Sequence, residues 1–302
     1  MREWTPPVVK ESDGAAGFYI NLDRSPERRA RMEQELARAG MSWVRRFSAV
    51  DGAQVAKRPG MRLSAAELGC LSSHLHAIES AVRGRFAFIF EDDVEISPHL
   101  PSILHGGQLP ALADHDVVFL DCQPDWRFET LARLWRTLEF QCPRPSPGEP
   151  RRVRGVEIYG TRGIYCWGMT AYIVTPRGLP SVAKVMRDSL ESEDCLPVDI
   201  LMQRAMEDGR LRGAVLVPFL ASPRLESYTR TTVTGRTQYI HNLALLGALR
   251  RAFYTEAGPE LFEFAEALCK PQEGVTPEME LLARISSHIT AVTLRDGQFF
   301  PG

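Results

Sequence analysis

The sequence predicts an α/β protein, a sheet of buried strands covered by helices, and three observations predict it. The chain opens strand–helix–strand: an apolar run at Gly17–Leu22, a helical stretch from Pro26 to Gly40, and a second extended run at Trp43–Val50. The later strands, RFAFIF at 85–90, DVVFLD at 116–121 and MTAYIVT at 169–175, are short and almost wholly apolar, as strands buried on both faces are. Segments of helical period separate them, so strands and helices alternate as layers of one sheet require.

Each element follows from local chemistry. The first strand stops at Asp23-Arg24-Ser25-Pro26, a loop, then a cap, then proline at the first helical position, where its missing N–H costs nothing. The helix behind it puts Met32, Leu36 and Ala39 on one face and ends at Gly40. Ser64-Ala65-Ala66-Glu67 is a capping box, hydroxyl at the cap and carboxylate three residues on. Leu68, Leu71, Leu75, Ile78 and Val82 then step by three and four, predicting an amphipathic helix to about Arg83. The strand at 85–90 ends abruptly on Glu91-Asp92-Asp93. Further on come a helix near 177–187, a helix over Asp199–Asp208 stopped by Gly209, and a strand at Leu211–Val217.

Residues 1–16 read as a loose N-terminal arm and 17–236 as the main domain. Gln141–Gly155, with four prolines and four arginines, reads as a mobile loop inside it. From residue 237 to 302 the pattern is helical, with segments near 238–253, 259–269 and 277–291, and predicts a helical C-terminal appendage. There is no internal repeat and no low-complexity tract.

The 302 residues carry 36 Lys+Arg against 38 Asp+Glu, a formal charge of −2. That balance argues against a protein that coats nucleic acid, and leaves room for a local basic groove. Cys70, Cys122, Cys142, Cys166, Cys195 and Cys269 are scattered without paired spacing, which points to free thiols in a reducing compartment. The first residues carry acid and proline where a secretory signal needs an apolar run, and no apolar stretch is long enough to span a bilayer. The expectation is a cytoplasmic protein.

The acidic triplet Glu91-Asp92-Asp93 is the strongest local signal. Hard cations such as Mg²⁺ and Mn²⁺ take oxygen ligands, and a buried strand that feeds straight into carboxylates delivers them to the crevice where α/β sheets bind ligands. A solvated charged loop is the equal alternative. In Glu67–His74, Glu67 and His74 lie two turns apart on one side of the helix; the plainer reading makes Glu67 the end of a capping box and His74 a half-buried, hydrogen-bonded residue. Arg28 offers a planar fork for phosphate or carboxylate, or is simply the wet face of its helix. Asp199 opens a helix, either as a dipole-favoured acid or as a general base. GxSxG, HExxH, Walker and GxGxxG motifs are missing.

In order along residues 17–230 the chain reads INLDRSPERR, LSAAELGCLSSH, FAFIFEDDVEISP, GMTAYIVTPRGL and LPVDILM. This series resembles glycosyltransferase family 25, the lipopolysaccharide-biosynthesis glycosyltransferases, which are also similar to collagen galactosyltransferases. The residues after 237 stand outside the likeness, and 141–155 reads as an insertion. The resemblance implies a GT-A fold with a Rossmann-like mixed sheet and a sugar-nucleotide donor, UDP-galactose foremost. It implies transfer with inversion to a hydroxyl of a glycan, glycolipid or other acceptor, dependent on Mn²⁺ or Mg²⁺, with peripheral contact at the inner membrane face open to it. By position it assigns Asp93 to the metal, and Glu91 to the metal, its water or the ribose, with Asp92 beside the donor. Asn21, Asp23 and Arg24 fall near the base and ribose, with Arg28 one turn on. Glu67, Ser73 and His74 fall near the donor sugar and diphosphate, and Asp199 is the candidate base. A non-catalytic relative kept as a binding or scaffold protein is the alternative, and a nucleotidyltransferase or phosphohydrolase explains the triplet but not the other motifs.

Overall fold

A computed structural model describes residues 14–257 and Leu261, apart from 56, 58, 59, 82, 106–108, 144–151 and 229–239. The expected helices near 259–269 and 277–291, and the arm before residue 14, lie outside the described residues.

In chain order the elements are β1 (Ala15–Asn21), α1 (Pro26–Arg38), β2 (Arg45–Ser48), α2 (Ala65–Glu79), β3 (Phe86–Glu91), β4 (Val94–Ile96), α3 (Leu100–His105), α4 (Leu109–Leu112), β5 (Val117–Phe119) and β6 (Gln123–Pro124). They continue with α5 (Phe128–Gln141), β7 (Glu157–Gly160), β8 (Tyr165–Trp167), β9 (Ala171–Val174), α6 (Gly178–Glu191), α7 (Val198–Glu207), β10 (Gly213–Val217), β11 (Ala221–Pro223) and α8 (Ile240–Arg251). Seven strands form one mixed sheet in the order β2-β1-β3-β9-β5-β10-β7. Strands β1, β2 and β3 run parallel, as do β5 and β10, while β9 runs antiparallel between β3 and β5 and β7 antiparallel on the edge. This is the α/β class that the sequence predicts, in the mixed-sheet form.

The core has two layers because side chains alternate along each strand. Ile20, Ile89, Tyr172 and Val215 face one side, with α2, α5, α6 and α7 over them. Tyr19, Phe88, Phe90 and Ile173 face the other, covered by Met32 and Leu36 of α1. The strands of the sheet centre are apolar throughout because neither face meets water.

Several details differ from the reading of the sequence. Ser25 sits at the cap of α1 without a side-chain cap bond; its carbonyl accepts from Asn21 Nδ2 at 3.1 Å and from Arg29 N at 3.1 Å instead. The capping box at Ser64 forms as expected, but α2 ends at Glu79 and is enclosed nearly all round, Ser72, Ser73 and His74 included. A helix buried between the sheet and α6 has no wide polar face, so its stripe of leucines understated its burial. Helix α5 and the short strands β4, β6, β7, β8 and β11 had no expectation attached. Arg154 N donates to Gln141 O at 2.7 Å, so the two ends of the proline-arginine segment meet.

Helix α8 opens the C-terminal segment and lies against the domain. Phe253 and Tyr254, just behind it, join the larger core layer, and Phe219 N donates to Phe253 O at 2.8 Å.

Backbone also packs on backbone beside α2. A Cβ on Gly52 would stand 1.8 Å from Ala65 O, and one on Gly69 2.6 Å from Gly52 N, so only glycine lets this loop lie on the helix. Gly52→Ala should therefore cost about 1–3 kcal/mol, seen as a fall of several degrees in melting temperature, whereas Gly160→Ala, with open space around it and no left-handed backbone, should cost less. Equal losses would contradict the close approach.

Candidate active site

The site begins with strand register. Because β1 and β3 pair in parallel with Ile20 opposite Glu91, the residues that follow both strands leave the sheet side by side. Asn21 is thereby brought to the acidic triplet: its Nδ2 donates to Asp92 Oδ2 at 2.6 Å, while its Oδ1 accepts from Arg46 Nε at 2.9 Å. The first turn of α1 starts five residues later, at Pro26, and aims Arg28 at the same acids, with Nη2 2.9 Å from Asp92 Oδ1 and also paired with Asp93.

Helix α2 supplies the opposite wall. His74 is buried, with Nδ1 2.8 Å from Tyr172 Oη and Nε2 3.5 Å from Glu91 Oε1. Ser73 Oγ donates to Gly69 O at 2.6 Å and accepts from Val50 N at 2.8 Å, tying the loop before Gly52 to the helix. Together these walls enclose a cavity of about 420 Å³, lined by Arg24, Arg28, Asp51, Cys70, Ser73, His74, Glu91, Asp92, Asp93 and Ser227 among others. That is the size range of small-molecule sites, roughly 300–1,000 Å³.

Six of the predicted residues besides Asp93 thus line one cavity: Arg24, Arg28, Ser73, His74, Glu91 and Asp92. Four stand differently. Asn21 is a buried clamp behind Asp92. Asp23 is exposed and accepts from Arg46 and from Ser48 Oγ at 2.8 Å. Glu67 closes the capping box, its Oε2 accepting from Ser64 N at 2.9 Å. Asp199 is half-buried at the start of α7, where its Oδ1 accepts from Ile200 N at 2.9 Å; its charge reaches Cys70 and Tyr165. Asp51, Cys70 and Ser227 complete the lining without having been singled out. Cys70 had a signal, standing four residues before His74 on one helix face, whereas Ser227 had none.

Three carboxylates at one strand end perturb one another. Burial pushes Asp93 up to about 6, and the charges of Glu91 and Asp92 add to that against the opposing pull of Arg28. Asp92 is raised by burial, with Arg28 and the Asn21 hydrogen bond working the other way. Burial pushes Glu91 up too, but His74, Arg28 and Arg250 outweigh it and hold Glu91 below its usual range. Asp93 Oδ1 is buried without a hydrogen-bond partner. An uncompensated acidic oxygen beside two further carboxylates is a donor set that suits a hard divalent cation, so Glu91 and Asp93 fit such an ion.

Behind the triplet lies a buried ion pair. Asp121, at the end of the β5 segment and fully buried, pairs with Arg250 of α8, whose Nη2 also meets Thr170 Oγ1 at 3.0 Å. Thr170 O in turn accepts from Glu91 N at 2.7 Å. The Cβ missing from Gly168 leaves room for this guanidinium, which lies 3.0–3.1 Å from the place it would occupy.

An acid-bearing crevice at the carboxyl ends of parallel strands, in a mixed sheet of this kind, is where Rossmann-like α/β proteins bind their ligands. Residues 15–202 match the model of Glycosyltransferase family 25 (LPS biosynthesis protein), and the chain belongs to that family. A relative from Aedes aegypti described as "Glycosyltransferase 25 family member" is 30% identical over 122 residues, which are 33% of this chain and 19% of the relative. The chain therefore spans about a fifth of that relative's length. Among the described residues no helix is long and apolar enough to cross a membrane.

The Asp121–Arg250 pair yields a pH prediction. Burial raises Asp121 from 3.8 to about 6 even with Arg250 beside it. The folded state thus keeps a proton that the unfolded chain releases, and the stability this contributes is lost as pH rises through about 6. Arg250→Met removes the counter-charge, so its deficit should be small at pH 5 and grow to about 3–5 kcal/mol near pH 8. Chemical denaturation of both proteins at the two pH values checks this, and a deficit independent of pH would contradict it.

Proposed function

We propose that this protein is an inverting, metal-dependent hexosyltransferase that moves a sugar, galactose foremost, from a UDP-linked donor to a hydroxyl of a glycan or glycolipid. One observation carries the reading: in a chain of this family, Arg28, His74 and the triplet Glu91-Asp92-Asp93 converge on one cavity at the ends of β1 and β3.

The donor lies in that cavity with its diphosphate toward Glu91 and Asp93. These two carboxylates would hold Mn²⁺ or Mg²⁺, a reading supported by the buried Asp93 oxygen that lacks a hydrogen-bond partner. When bound, the cation offsets the charge that grows on the departing diphosphate. Arg28, already shared between Asp92 and Asp93, bridges the two acids, offsets their mutual repulsion and presents further N–H donors to the diphosphate. His74, fixed by Tyr172, orients Glu91. Arg24 and Asp51, paired across the mouth, border the nucleoside end.

Asp199 is the base in this proposal; it stands outside the cavity lining at the start of α7, near enough for its charge to act on Cys70, which does line the cavity. The acceptor oxygen bonds to the anomeric carbon from the face opposite the diphosphate, the bond to the diphosphate breaks, and the acceptor proton passes to Asp199. The acceptor is membrane-associated in the lipopolysaccharide reading, and the protein then works at the cytoplasmic face of the membrane.

Thermal stabilisation by a panel of nucleotides and sugar nucleotides, with and without Mn²⁺, tests the donor, because a ligand that binds the folded state raises its stability whatever the acceptor. Stabilisation by UDP and UDP-sugars that depends on Mn²⁺ is expected. No shift with any nucleotide favours a scaffold, and release of nucleoside monophosphate favours a nucleotidyltransferase or phosphohydrolase. Asp93→Ala should lose the Mn²⁺-dependent shift while its circular dichroism stays unchanged; a normal shift overturns the metal assignment. Asp199→Asn should lower turnover about 10²–10⁴-fold with donor binding retained, and full activity would remove Asp199 as base.

A further inference from the structure

The donor cavity holds a second set of metal-binding atoms, chemically unlike the first. Cys70 and His74 stand four residues apart on α2 and so share a face, and Glu91 meets them from β3. Cys70 Sγ, a His74 ring nitrogen and a Glu91 oxygen all lie within 4.8 Å of one another.

The geometry around His74 is that of a ligand held ready. Its Nδ1 is 2.8 Å from Tyr172 Oη; when a metal binds, Nδ1 keeps a proton donated to that hydroxyl while Nε2 gives up the proton it otherwise shares with Glu91, so that its lone pair meets the metal. Nε2 lies 3.5 Å from Glu91 Oε1, long for an imidazole–carboxylate hydrogen bond. Two ligand atoms on one tetrahedral zinc are about 3.4–3.6 Å apart, given metal bonds of 2.0–2.3 Å. The His74–Glu91 spacing already has that value, and a thiol within 4.8 Å of the other two ligand atoms has at most about 1.3 Å to close to complete the triangle.

We propose that Cys70, His74 and Glu91 form a three-ligand site for a borderline-soft divalent cation, Zn²⁺ foremost, with the fourth position open to the cavity. Binding exchanges two protons for the metal: the Cys70 S–H and His74 Nε2–H bonds break, S–metal and N–metal bonds form, and both protons go to solvent. The sulfur and nitrogen donors favour Zn²⁺ over Mn²⁺ and Mg²⁺, whose preference is for oxygen. Zinc here withdraws Glu91 from the oxygen site it shares with Asp93, so the two occupancies exclude each other. The site is defined by its donor atoms and stands whether or not the cavity takes a sugar nucleotide.

Co²⁺ replaces Zn²⁺ in such sites and reports thiolate ligation directly. Titration of the full chain with Co²⁺ should give a thiolate-to-metal charge-transfer band that saturates near one equivalent and is bleached by Zn²⁺. Cys70→Ser should remove the band, and Cys122→Ser, at a buried thiol elsewhere, should keep it. No charge-transfer band, or a band that survives Cys70→Ser, overturns the proposal. Should Cys70→Ser fail to fold, the unaltered chain still decides: Zn²⁺ should slow iodoacetamide alkylation of Cys70 at least tenfold, read by peptide mass. An unchanged rate overturns the site, and neither readout requires a donor or an acceptor.

Discussion

Mutual repulsion among Glu91, Asp92 and Asp93 governs what stands around them. Three acids that leave one buried strand in succession cannot all ionise in a poorly solvated place without positive or hydrogen-bonding partners. The fold supplies a different partner to each. Asn21 and Arg28 serve Asp92, Arg28 also serves Asp93, and His74 serves Glu91. Even so Asp93 keeps an oxygen without a partner, and its carboxyl is pushed up to about 6. The protein meets most of the electrostatic demand and leaves a remainder whose chemistry suits a cation.

Each partner arrives by an elementary structural rule. Parallel pairing of β1 with β3 aligns two strand ends, so Asn21 reaches Asp92 across the sheet. The start of α1 at Pro26 places Arg28 in the first turn, pointing back over the same ends. Glycines at 52 and 69 let the loop from β2 rest on α2, which fixes the distance from Asp51 to the helix and so the width of the cavity.

Much of this was legible in the sequence because it is written in short-range patterns. The apolar runs of β1, β3, β5 and β9 and the box at Ser64 are local signals, and the structure places strands and a cap there. The acidic triplet was visible as an abrupt end to an apolar strand. Other features depend on distant partners and had no local trace. The enclosure of α2 comes from α6, more than a hundred residues on, and the pairing of Asp121 with Arg250 joins residues with nothing in common in their neighbourhoods. Asn21 and Glu67 are engaged within the protein, one bonded to Asp92 and the other closing the helix cap that its spacing from Ser64 indicates; for Asn21, composition at a position does not say which way its side chain is engaged.

The Arg250–Asp121 contact bears on where this protein can be cut. The match to the family ends at residue 202, yet the guanidinium that neutralises the acid behind β5 comes from residue 250, and β10, at residues 213–217, pairs directly with β5. A fragment trimmed to the matched segment would lose a strand from the sheet and bare a carboxylate in its middle. The matched segment is thus shorter than the packed unit, and expression boundaries belong beyond Tyr254.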